Sequence, residues 1–111
     1  MATVSNLFVD AGASYSNIIT VAATNGQPLN LTGYTVASQM RKSYQSSQAF
    51  TFAASIYEPM SGKVRLQLSP EQSRAIPSGR WLYDVEITSP SGTVTRVVEG
   101  IVTINAEITQ I

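Results

Sequence analysis

Apolar and polar positions alternate along most of this chain. Val4, Leu7 and Val9 outline an imperfect first strand that Gly12 closes. Tyr15 to Val21 outlines a second, with Ile18 and Ile19 apolar on both faces. Asn25-Gly26 is a turn signal, because both residues tolerate positive φ. Pro28 and the Leu29-Asn30-Leu31-Thr32-Gly33 corner lead into a third strand. There Tyr34, Val36, Ser38 and Met40 share one face, and Thr35, Ala37, Gln39 and Arg41 share the other. After the Ser/Gln loop Ser43 to Ser47, Phe50, Phe52, Ala54 and Ile56 predict a fourth. Pro59 and Gly62 mark the next turn. Val64, Leu66 and Leu68 alternate with Lys63, Arg65 and Gln67, the mark of a strand with one wet face.

A short helix follows. Ser69 suits the N-cap, Pro70 the first helical position and Gln72 the reciprocal cap. Ile76-Pro77 ends it. Trp81 to Val98 then reads as a long hairpin around Ser89-Pro90-Ser91-Gly92, with Gly92 as a left-handed bulge residue. That turn sets Ser89 beside Thr93, Ile87 beside Thr95, Glu86 beside Arg96, and Val85 beside Val97. Glu86 and Arg96 are thus expected to form an outward charge pair. Gly100 interrupts the last run, which resumes from Ile101 to Ile104 and trails into Asn105 to Ile111. Glu99 is expected to accept a hydrogen bond from the Tyr83 phenol.

The expectation is an all-β fold: an immunoglobulin-like antiparallel β-sandwich of about seven strands with one short helix. One domain spans residues 1–111, with arms at either end. The Cys-Trp-Cys pattern of true immunoglobulin domains is missing, so Trp81 alone is the candidate core aromatic.

Composition narrows the function. The chain has no histidine and no cysteine. Hydrolytic triads usually need a histidine base. A Ser-Lys pair would need Lys42 or Lys63, and both flank turns. Asp84 and Glu86 share one face of a strand, a pattern that can act on sugars; pairing with Arg96 and surface solubility explain it better. We therefore expect no enzyme, no catalytic residues, no metal site and no cofactor. Seven acids balance seven bases, for a formal net charge of zero. Neither nucleic acid nor a membrane is an expected partner. No basic start leads into a long apolar run, so no secretory signal is expected.

Several runs, in their order, resemble a known family. They are Gly26 through Pro28, Asn30-Leu31-Thr32-Gly33-Tyr34-Thr35 and Met40-Arg41-Lys42. Next come Gly62 to Leu68, Ser69-Pro70-Glu71, and Ile76-Pro77-Ser78-Gly79. Tyr83-Asp84-Val85-Glu86, Gly92 to Arg96 and Glu99-Gly100 complete the set. Together they resemble the N-terminal domain of phage baseplate upper proteins and the short β-sandwich virion proteins of tailed bacteriophages. The resemblance implies a virion structural protein of tail, baseplate, neck or capsid, assembled in the host cytoplasm. It implies homo-oligomers and other virion proteins as partners. The longer baseplate proteins continue into a stalk and a receptor-binding domain. This chain ends at Ile111, which favours a connector, a decoration subunit or a small tail component.

Edge strands of a short sandwich need protection or a partner. Val4 to Val9 and Glu107 to Ile111 are the candidate edges. Leu7, Phe8, Ile108 and Ile111 are the suspected subunit contacts; the alternative is that both termini close their own sheet. The alternative function is a small carbohydrate-binding module with Trp81, Tyr44 or Tyr57 as stacking platforms.

Overall fold

Two of the seven expected strands are broken, giving nine among the described residues. The computed structural model describes residues 3–23, 25–43 and 45–108. The first run divides into β1 (Thr3–Val4) and β2 (Leu7–Asp10). The fourth divides into β5 (Ala49–Thr51) and β6 (Ala53–Glu58). Between them lie β3 (Tyr15–Thr20) and β4 (Thr35–Arg41). After a 3-10 turn at Pro59–Ser61 come β7 (Lys63–Leu68) and the helix α1 (Pro70–Ala75). The long strands β8 (Gly79–Thr88) and β9 (Val94–Asn105) finish the fold.

The larger sheet runs β1/β2–β9–β8–β4–β5, and the smaller runs β3–β7–β6. Each break has a local cause. Phe52 sits where the chain leaves one sheet for the other. Its amide donates to the Ser38 carbonyl at 3.0 Å. Its ring lies 6.2 Å from that of Tyr15 on β3 and 6.1 Å from that of Tyr83 on β8. Ser5 and Asn6 pass over Gly100, where a Cβ would overlap the Ser5 carbonyl oxygen. Glycine is needed there for close backbone approach.

The expected all-antiparallel pairing needs correction. β1 and β2 both run parallel to β9, with Val4 beside Glu99 and Val9 beside Ile104. The two strands lie at opposite ends of the sequence, so no tight hairpin dictates their direction.

The alternation seen in the sequence sorts the core. Val64, Leu66 and Leu68 of β7 face Trp81, Tyr83, Val85 and Ile87 of β8 in one buried cluster. Ser38 and Met40 of β4 are buried too. Ser69 and Gln72 form the expected reciprocal cap of α1, at 3.1 and 2.8 Å. The sequence did not reveal the role of Ser73. Its buried hydroxyl accepts from the Gly12 amide at 3.0 Å and donates to the Ala13 carbonyl at 2.9 Å. The helix thereby fastens the turn between β2 and β3.

The hairpin follows the expected register near its turn. The Gly92 amide donates to the Ser89 carbonyl, and Gly92 has φ +94°. Ile87 pairs with Thr95, and Glu86 with Arg96. Beyond that point a bulge intervenes, and Val85 pairs with Val98 instead of Val97. The bulge also overturns the expected ion pair. Its extra residue brings Arg96 and Glu99 together on the outer face. Arg96 turns from Glu86 to Asp84 at 3.1 Å and to Glu99 at 3.8 Å.

Candidate functional site

The suspected contact residues fall into three environments. Leu7 is 5% exposed and packs into the domain's own core, which corrects its assignment as an outward contact. Strand alternation explains this: Leu7 and Val9 point inward, so Phe8 points outward. Phe8 is 69% exposed, and Val4, on the same edge, is 70% exposed. Ile108 is 96% exposed. Ile111 lies outside the described residues.

The edge that presents Phe8 is tied down at its middle. The Tyr83 hydroxyl donates to the Ser5 carbonyl at 2.6 Å, instead of to Glu99. The inward direction of Tyr83 explains the difference, since Glu99 stands on the outer face. The Asn6 side chain accepts from the Ile101 amide at 3.1 Å. Beyond β2, the Ala11 amide donates to the Asn105 carbonyl at 2.9 Å. Glu107 accepts two bonds from Arg74, at 3.1 and 3.2 Å, and so holds the segment after β9 against α1.

Burial pushes the Tyr83 phenol up to about 12, and burial also raises that of Tyr15. A raised phenol pKa favours the neutral form in the fold. The resulting stability is fully present below pH 10, the ordinary value, and is lost as pH rises toward 12. Denaturant midpoints should therefore fall across that window. The Tyr83→Phe variant should lose part of this dependence, along with the Ser5 hydrogen bond. An identical slope in both chains would rule Tyr83 out as a source.

The outer face of the larger sheet holds a shallow depression of about 290 Å³. Gln39, Arg41, Leu82, Asp84, Glu86 and Arg96 line it. Arg96 stands among the carboxylates and ties up Asp84, so the Asp84–Glu86 pair is not a free acid-base couple. A second groove of about 820 Å³ opens between the sheets near the β8–β9 turn. Its walls include Thr20, Val21, Leu29, Tyr34, Thr95 and Val97, mostly apolar or hydroxylated.

The aromatic platforms fare differently. Trp81 is 2% exposed and belongs to the core, so it offers no surface for stacking a sugar. Its indole N–H donates to the Pro77 carbonyl at 2.9 Å, and Phe50 meets it edge-on at 5.3 Å. Lys42 Nζ lies 5.1 Å from its ring centre. Tyr44 lies outside the described residues. Tyr57 is exposed, with the Arg65 guanidinium 4.2 Å from the centre of its ring.

No model of a known protein family matches the chain, and no curated protein matches it.

Proposed function

We propose that this chain is a virion structural protein, a non-enzymatic subunit of a phage tail, baseplate, neck or capsid assembly. The main support is the distribution of exposed large apolar side chains. Val4 and Phe8 lie on the edge, Ile18 and Tyr57 on the smaller sheet, Met60 in the 3-10 turn, Val94 on β9, and Ile108 beyond it. Single exposed apolar residues are ordinary. Here they occupy an edge, both sheets and the segment beyond β9, as a subunit with several neighbours requires. The runs that resemble the phage proteins fall on structural devices of this fold: the cap of α1, the Gly92 turn and the Gly100 crossing.

The same reading takes the sandwich as immunoglobulin-like. β3, β7 and β6 stand in the order of the B, E and D strands, and β4, β8 and β9 in that of C, F and G. The carbohydrate-binding alternative keeps Tyr57 and loses Trp81.

Light scattering of the purified chain tests the proposal. A mass at a fixed multiple of 11.9 kDa supports it. A monomer that binds glycans would favour the alternative.

A further inference from the structure

Seven charged side chains among the described residues are half-buried: Arg41, Lys63, Arg65, Asp84, Glu86, Glu99 and Glu107. Five of them have a partner within the chain. Arg41 donates to the Ser46 carbonyl, and Lys63 meets Glu58. Asp84 and Glu99 share Arg96, and Glu107 holds Arg74. Arg65 and Glu86 are the exceptions: neither has an ion pair or a side-chain hydrogen bond among the described residues. They have opposite signs and lie on opposite outer faces of the sandwich. Arg65 stands on β7 between Val64 and Leu66, which point to the core. Glu86 stands on β8 between Val85 and Ile87, which also point to the core.

Partly desolvated charges without partners are costly, and a matching charge from outside removes the cost. Arg65 is the more constrained of the two. Its guanidinium lies against Tyr57, and its Nε is buried without an acceptor among the described residues. A stacked guanidinium is a planar fork suited to a carboxylate. Glu86 pairs by register with Ala37 on one side and Arg96 on the other, and Arg96 is engaged with Asp84 and Glu99. Exposed apolar side chains flank each site: Ile18 and Tyr57 near Arg65, Val94 near Glu86.

We propose that the outer face of the three-stranded sheet packs on the outer face of the larger sheet in a second copy of this chain, Arg65 meeting Glu86. The inference rests on the assembly reading and specifies its contact. Because the two residues lie on opposite faces of one copy, two copies cannot exchange the contact reciprocally. The interface is heterologous and generates a ring or an open stack.

Charge reversal tests it on the full chain, with mass read by light scattering and folding by circular dichroism. Arg65→Glu and Glu86→Arg should each fall from the wild-type multiple to 11.9 kDa. Mixing the two variants should restore the assembly, since alternating copies then present opposite charges at every contact. The double variant Arg65→Glu/Glu86→Arg should also recover it. If a reversal prevents folding, Arg65→Gln and Glu86→Gln should each lower the assembled fraction. Wild-type assembly that survives both single changes, or a mixture and double variant that stay monomeric, would overturn this contact and leave the assembly reading standing. A wild-type chain at 11.9 kDa at every concentration would overturn both.

Discussion

Replacing Trp81 with alanine should destabilise the fold by about 3 to 5 kcal/mol, the range for removing a large buried aromatic. Trp81 is the largest fully buried side chain and joins three structural devices. Its ring fills the layer between the sheets beside Phe50. Its N–H satisfies the Pro77 carbonyl, where the chain turns from α1 into β8. Its face receives the Lys42 ammonium, which also donates to the Arg80 carbonyl at 2.9 Å. Domains of this size are stable by roughly 5 to 15 kcal/mol, so the variant should be close to unfolding at room temperature. Trp81→Phe should lose less, because a ring remains against Phe50 while the Pro77 bond is gone. Urea unfolding followed by far-ultraviolet circular dichroism checks both. A loss below about 1 kcal/mol for alanine would mean that the two layers do not close around this residue.

Gly100→Ala should release the N-terminal edge. The added methyl would overlap the Ser5 carbonyl oxygen and lie 3.0 Å from Asn6 Oδ1. The oxygen is backbone, held by the Tyr83 hydroxyl, so it cannot swing aside as a flexible side chain could. Overpacking of this kind costs about 1 to 3 kcal/mol. The loss should be local as well as global. Amide exchange should quicken at Ser5, which bonds to Glu99, and at Ile101, which bonds to Asn6. Amides of β4 and β7 should keep their relative order. Uniform acceleration through both sheets would contradict a local role for Gly100.

Much of the scaffold is legible in the sequence, because its elements obey short-range rules. The β7 and β8 alternations name their buried residues directly. Ser69 and Gln72 announce a cap, and Gly92 a bulged turn. Other features depend on contacts between distant segments. Phe52 continues a run of alternate apolar residues, and nothing local says that the chain changes sheets there. The partner of Arg96 depends on a bulge at Val97, and consecutive valines at 97 and 98 leave its place ambiguous. Tyr83 reaches Ser5 across 78 positions of sequence. Ser73 looks like any polar helix residue until Gly12 and Ala13 are folded against it.

The proposed contact surface is legible in part. Neighbouring apolar residues on one edge strand point in opposite directions. Leu7 and Phe8 could not both be outward, and the parallel pairing with β9 decides for Phe8. In the sequence Arg65 is an ordinary residue of a wet face, and Glu86 is the expected partner of Arg96. Their distinction among the half-buried charges is the lack of an ion pair or side-chain hydrogen bond among the described residues, and that property exists only once the other five are folded against their partners.

Electron microscopy of the purified wild-type chain tests most directly whether this domain joins copies of itself through its outer surfaces. The account predicts rings or short stacks of subunits, each about 43 × 29 × 21 Å, packed face to face with the larger sheet of one against the smaller sheet of the next. A field of separate subunits at high concentration, or pairs related by a two-fold axis through a single face, would contradict it.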